Sequence, residues 1–139
     1  MLTALIDSGA LVAYYNKGDQ FHSAVREYFE TYRGKLLTSV PVATEVIWLL
    51  KSDWRVQNEF LKDVSTELFE LVKLEIQDFQ RIKELNEKYC DRPADFADLT
   101  IVAIGERLGI LKVVSLDSDF DIYRTHSEKT FVQLFPKWE

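Results

Sequence analysis

The stretch LTALIDSGALVAYYN, Leu2 to Asn16, decides how the rest of the chain is read. Its first half is a short apolar run that stops at Asp7, Ser8 and Gly9, the pattern of a buried strand entering a turn. Its second half, GALVAYYN, reads as a helix. The same alternation recurs downstream. DQFHSAVREYFETYRG places Phe21, Val25, Tyr28, Phe29 and Tyr32 at helical spacing, with Asp19 as the expected N-cap and a stop at Gly34. KLLTS is a second strand, and Pro41 sits near the start of the helix VATEVIWLLKS, where a first-turn proline is tolerated. A helix over Arg55 to Val64, a strand in ELFELVKL and a helix over Asp78 to Tyr89 follow, the last with Phe79, Ile82, Leu85 and Tyr89 on one face. DFADLTIVAIGERLG, Asp95 to Gly109, is a further helix closed by a glycine. ILKVVSL is a fourth strand ending at Asp117, and TFVQLF a short last one. Strands alternating with helices imply an α/β fold, a parallel sheet covered on both faces. No linker or repeat divides the chain, so residues 1–139 are expected to form a single domain.

Of the 139 residues, 47% are hydrophobic, enough apolar material for a core of ordinary size. The apolar runs are short and the start of the sequence lacks the pattern of a signal peptide, so a soluble cytoplasmic protein with no membrane association is expected. Cys90 is the single cysteine. It excludes an intramolecular disulfide and a cysteine-based zinc site, and reads as a small, partly buried side chain. The formal charge of −6 argues against nonspecific nucleic-acid binding through a broad basic surface. It leaves room for a nucleic-acid enzyme whose carboxylates gather around cations.

In an open parallel sheet, ligands bind at the carboxyl ends of the strands where the strand order changes direction. Asp7 follows the first strand and Asp117 the fourth. Glu45 interrupts the apolar sequence VATEVIWLL near the start of the helix after the second strand. Asp95 and Asp98, three positions apart, open the helix that ends at Gly109 and share one face. Each aspartate taken singly is explained as a cap or turn residue. Together, separate segments bring carboxylates to one end of one sheet, which reads as one acidic pocket. An oxygen-only pocket selects Mg²⁺ or Mn²⁺ over zinc, and such ions serve the hydrolysis of phosphodiesters.

These segments resemble PIN-domain ribonucleases, especially the VapC-type toxins of prokaryotic toxin–antitoxin modules. LIDSGALVAYYNKGDQFH resembles the family's opening motif, VATEVIWLL its second acidic motif, DFADLTIVAIGERLG the third and VVSLDSDFDIYR the fourth. The resemblance covers nearly the whole chain. It implies a PIN-like, Rossmann-like three-layer α/β/α fold with a central, mainly parallel sheet of about four to five strands. It also implies an Mg²⁺- or Mn²⁺-dependent ribonuclease with Asp7, Glu45, Asp98 and Asp117 as catalytic and metal-binding residues. Asp7 and Asp98 would be the principal ligands, with Asp95, Asp119, Ser8 and Ser115 as auxiliary positions. Asp117 is preferred to Asp119 because it comes first after the strand. Water would attack the phosphorus in line, without a covalent enzyme intermediate. The implied partners are an RNA substrate such as tRNA or rRNA, a cognate antitoxin protein of a type II pair, and a second copy of the chain in a homodimer.

A rival reading is a non-catalytic PIN-like module whose pocket binds a metal or a partner's arginine. A phosphatase of the haloacid-dehalogenase type needs a second aspartate two residues after Asp7, where Gly9 stands. His22 reads as structural and His126 as solvated. Trp48 is weighed as a core or subunit contact against a base-stacking surface, and Trp54 and Trp138 likewise as core or subunit contacts, with interface use as the alternative. Lys51, Arg55, Arg92 and Arg124 are candidate phosphate contacts.

Overall fold

A computed structural model describes residues 2–91 and 95–135, so Arg92 and Trp138 lie outside the described residues. Its elements are β1 (Leu2–Ile6), α1 (Ser8–Tyr15), α2 (His22–Thr31), β2 (Gly34–Thr38), α3 (Val40–Leu49), α4 (Trp54–Ser65), β3 (Glu70–Leu71), α5 (Ile76–Lys88), α6 (Phe96–Leu108), β4 (Lys112–Val114) and β5 (Val132–Gln133). A 3-10 turn covers Ser118–Asp121. The strands form one five-stranded sheet in the order β3-β2-β1-β4-β5, and every neighbouring pair is parallel. From β1 the chain first builds outward through β2 to β3, then crosses back to place β4 and β5 on the other side. The β1/β4 seam is therefore the switch point of the sheet.

β1 is the centre of the core. Ala4, Leu5 and Ile6 point alternately to the two faces and all are fully buried, so helices cover the sheet on both sides. Against it lies α6, buried at every position from Ala97 to Gly105. A helix apolar all round suits a central position better than a surface one. Its close approach depends on Gly105: a Cβ there would lie 2.7 Å from the Ile110 carbonyl oxygen and 2.8 Å from Leu5 Cδ1. Gly109 ends the helix in the left-handed conformation, with φ 72°. On the other flank, Tyr15 packs edge-to-face on Phe60 and Phe69, whose own rings are tilted by 38°, and the cluster fastens α1 to α4.

The last three strands are shorter than their apolar runs. β3 is an edge strand with a partner on one side only, and the chain turns at once into α5 through a reciprocal cap between Glu75 and Asp78. β4 stops at Val114 because Ser115 turns its hydroxyl to side-chain and loop partners. α2 departs from expectation too: its N-cap is Phe21, while the Asp19 carboxylate accepts the Phe21 N–H at 2.8 Å in the turn before the helix. Cys90 is exposed, and so are Trp48 and Trp54, which leaves none of them in the core. Among the described residues, no helix is long and apolar enough to cross a membrane.

The contact at Gly105 yields an expected outcome. Gly105→Ala adds helix propensity but drives a methyl group into backbone and Leu5, at a net cost of about 1–2 kcal/mol. Thermal unfolding should shift down by several degrees. An unchanged or raised midpoint would show that α6 does not rely on this close approach.

Candidate active site

The β1/β4 register pairs Ile6 with Val114, so the next residues out, Asp7 and Ser115, lie side by side at the carboxyl end of the seam. Asp7 caps α1, accepting the Ala10 N–H at 3.1 Å. Its other carboxylate oxygen accepts the Ser115 hydroxyl, and Ser115 Oγ in turn accepts the Asp117 N–H at 2.9 Å. Asp117 caps the 3-10 turn and accepts the Asp119 N–H at 2.9 Å. These short-range bonds follow from aspartate placed where a strand gives way to a helical turn, and they fix the direction of each carboxylate.

α6 brings the next pair. Asp95 is its N-cap, accepting the Ala97 N–H at 2.9 Å, and Asp98 lies buried in the first turn at the positive end of the helix dipole. The start of α6 is tied to the start of α3 by Ser39 and Thr100, whose hydroxyls are 2.8 Å apart. That tie brings up Glu45 on α3. Glu45 is half-buried, accepts the Ser8 hydroxyl and shares a hydrogen bond with Asp95.

The six acids thus form one neighbourhood. Carboxylate oxygens of Asp98, Asp117 and Asp119 all lie within 4.8 Å of one another. Asp7 adjoins this trio and is coupled electrostatically to Asp98 and Asp117, while Glu45 and Asp95 form its outer side. Asp119 therefore stands beside Asp117 in the cluster, not outside it. The two are linked locally, because the Asp117 carboxylate caps the turn by accepting the Asp119 N–H.

Burial and mutual repulsion resist the charge this pocket carries. Burial, reinforced by Asp7, Asp117, Asp95 and Glu45, raises the Asp98 carboxyl to about 8. Asp7 rises to about 6, chiefly through burial, although the bonds from Ser115 and Ala10 favour its charged form. Glu45 is also raised, by burial first and by its bond to Asp95 next. The buried Tyr123 hydroxyl is pushed up by burial and by the nearby aspartates. Among the described residues, no salt bridge joins Asp7, Glu45, Asp98 or Asp117 to a lysine or arginine. A hard divalent cation fits this donor set, made of carboxylate oxygens, and would offset its repulsion.

The other residues singled out from the sequence fall elsewhere. His22 Nδ1 is 2.8 Å from the Ala13 carbonyl oxygen and braces α2 against α1, a structural role. His126 is exposed. Arg124 Nη1 donates to the carbonyls of Asp121, Ile122 and Tyr123 at 2.7–3.0 Å, so that nitrogen holds its own loop in place of a phosphate. Lys51 Nζ lies 4.0 Å over the Trp48 ring, and Arg55 lies beside Trp54 and Asp53. A groove of about 540 Å³, lined by Glu106, Leu111, His126 and Lys129, opens at the other end of β4 and takes no part in the cluster.

Known proteins resemble this chain in sequence and in fold. The chain is 25% identical over 115 residues to Ribonuclease VapC26 of Mycobacterium tuberculosis, covering 81% of this chain and 85% of that one. Among solved structures, Mycobacterium tuberculosis VapC20, a Sarcin-Ricin loop cleaving toxin, superposes with a TM-score of 0.81 at 21% identity, covering 96% of this chain and 99% of that one. A toxin–antitoxin complex from Klebsiella pneumoniae gives 0.66 at 15% identity, covering 94% and 99%. Family-level comparison matches the PIN domain to residues 4–125, a span that contains every acid of the cluster. With the acids at the sheet's switch point and the fold shared throughout, the chain belongs to the PIN domain family.

Proposed function

We propose that this protein is an Mg²⁺- or Mn²⁺-dependent ribonuclease and the toxin of a type II toxin–antitoxin pair. The observation that carries the reading is the set of inward-held carboxylates at the β1/β4 seam, two of them raised far above the usual carboxylate range. The ribonuclease name of the VapC26 relative supports the activity, and the toxin–antitoxin neighbour supports a protein partner. The substrate in this reading is a structured RNA such as tRNA or rRNA, in line with the loop-cleaving neighbour. A homodimer completes the assembly.

Asp98, Asp117, Asp119 and Asp7 would hold the cation. When bound, a divalent ion supplies neutralisation of the phosphodiester's charge and acidification of water. The chain's own groups do the rest. Ser115 and the Ala10 amide keep the Asp7 carboxylate in one orientation. Glu45, held by Ser8 and Asp95 at the outer side of the cluster, or Asp117 would assist activation of the attacking water. Asp95 adds charge while capping α6.

Cleavage of total RNA by the purified protein tests this reading. Discrete fragments are expected with Mg²⁺ or Mn²⁺, none with chelator, and none from Asp98→Asn or Asp7→Asn variants that remain folded. Full activity of either variant, or with chelator, would overturn it. Metal binding without cleavage of any RNA would favour the binding module instead, a reading to which the net charge of −6 is well suited.

The raised carboxyls also set a pH dependence. Between about 4 and 6 for Asp7, and between about 4 and 8 for Asp98, the folded protein holds protons that the unfolded chain has released. Stability of the metal-free protein therefore falls as pH rises through this window and levels off above about 8. Melting curves should show the decline, a larger stabilisation by Mg²⁺ at pH 8 than at pH 5, and a metal-free Asp98→Asn variant that melts roughly 3 °C or more above the native protein at pH 8. A flat profile, or a destabilised Asn variant, would mean that these groups do not resist ionisation.

A further inference from the structure

Beyond the acids themselves, one polar side chain on β5 grips the loop that carries two of them. Gln133 is half-buried and lies past the end of the PIN domain match at residue 125. Its Nε2 donates to the Asp117 carbonyl oxygen at 3.1 Å. That carbonyl has one other donor, the Phe120 N–H, farther away at 3.4 Å; Ser115 Oγ also lies 3.4 Å off, but its proton is given to Asp7. The Gln133 Oε1 atom is buried and has no hydrogen-bond partner among the described residues. The amide cannot be turned to relieve this, because turning would set Oε1 against the Asp117 carbonyl oxygen.

A buried amide oxygen without a donor works against stability, and an apolar side chain of the same length would suit the fold better. What glutamine adds is its hold on Asp117. The Asp117 N–H is bound to Ser115 and its C=O to Gln133, so the backbone is gripped on both sides. Its carboxylate and that of Asp119 face Asp98 within 4.8 Å, a placement that like charges oppose. We propose that Gln133 is a positioning residue for the cation site, holding the 115–119 loop so that Asp117 and Asp119 face Asp98. This rests on the metal-dependent reading above.

The test is Mn²⁺ titration followed by electron paramagnetic resonance, with metal-free melting curves, on the native protein and on Asp98→Asn, Gln133→Met and Gln133→Leu. The Gln133 variants should melt within about 2 °C of the native protein or above it. They should bind Mn²⁺ about tenfold or more weakly, as expected when a group that orients a ligand is lost. Native-like Mn²⁺ affinity in both, within about twofold, would overturn the inference. So would melting lowered by more than about 5 °C, which assigns Gln133 to the fold alone. A native protein that binds Mn²⁺ no better than Asp98→Asn would instead overturn the metal-site reading, and the inference with it.

Discussion

Repulsion among carboxylates brought together at the end of the β1/β4 seam is the constraint around which this molecule is organised. Charges of one sign at such short range, with Asp7 and Asp98 buried and the rest partly open to solvent, push their side chains apart and favour the protonated form. The fold answers with backbone. Asp7, Asp95 and Asp117 each cap a helical turn, so each carboxylate is tethered to an N–H close by in its own segment. Ser115 then joins the β1 and β4 sides through Asp7 and Asp117. The frame beneath is apolar: the fully buried Ala4, Leu5 and Ile6 of β1, with α6 pressed against them at Gly105.

Capping and metal binding are therefore not competing explanations of the same aspartates. An N-cap directs one carboxylate oxygen at an amide and turns the other away from it, so a local bond helps set the aim of a long-range site; in Asp7 that second oxygen also takes the Ser115 hydroxyl and keeps a further lone pair. Asp98 is the exception. It lies inside the first turn of its helix, is not a cap, and is raised farther than Asp7. Its placement is maintained by the position of α6, through the Ser39–Thr100 contact with α3 and the close packing on β1. Much of the helix serves to present one buried acid.

The parts legible in the sequence were those written in local pattern. The strand–turn–helix at Leu2 to Asn16, the cap at Asp95 and the glycine stop at Gly109 can each be read from a few neighbouring residues. The parallel sheet followed from their alternation, and the gathering of Asp7, Glu45, Asp98 and Asp117 from the rule for where such sheets bind. Features set by tertiary contacts were harder to see. Asp119 joins the trio from the first residues of a 3-10 turn capped by Asp117, which apolar periodicity does not announce. Gln133 was not singled out, because its bond to Asp117 spans sixteen residues and its short strand has little pattern of its own. Of the readings weighed for Trp48 from its place on α3, the core contact is excluded, because the helix turns it to the surface beneath Lys51. The apolar run around β3 overstates its strand because hydrophobicity reports burial, while pairing at a sheet edge depends on where the chain bends.

Both outer strands of the sheet, β3 and β5, are two residues long. A strand so brief gives an incoming chain almost no ladder of free amides and carbonyls to extend, which protects against edge-to-edge aggregation. It also narrows how another protein can dock, because recognition by adding a strand to the sheet has too little template to work with. Association through helices and side chains is what such a molecule offers.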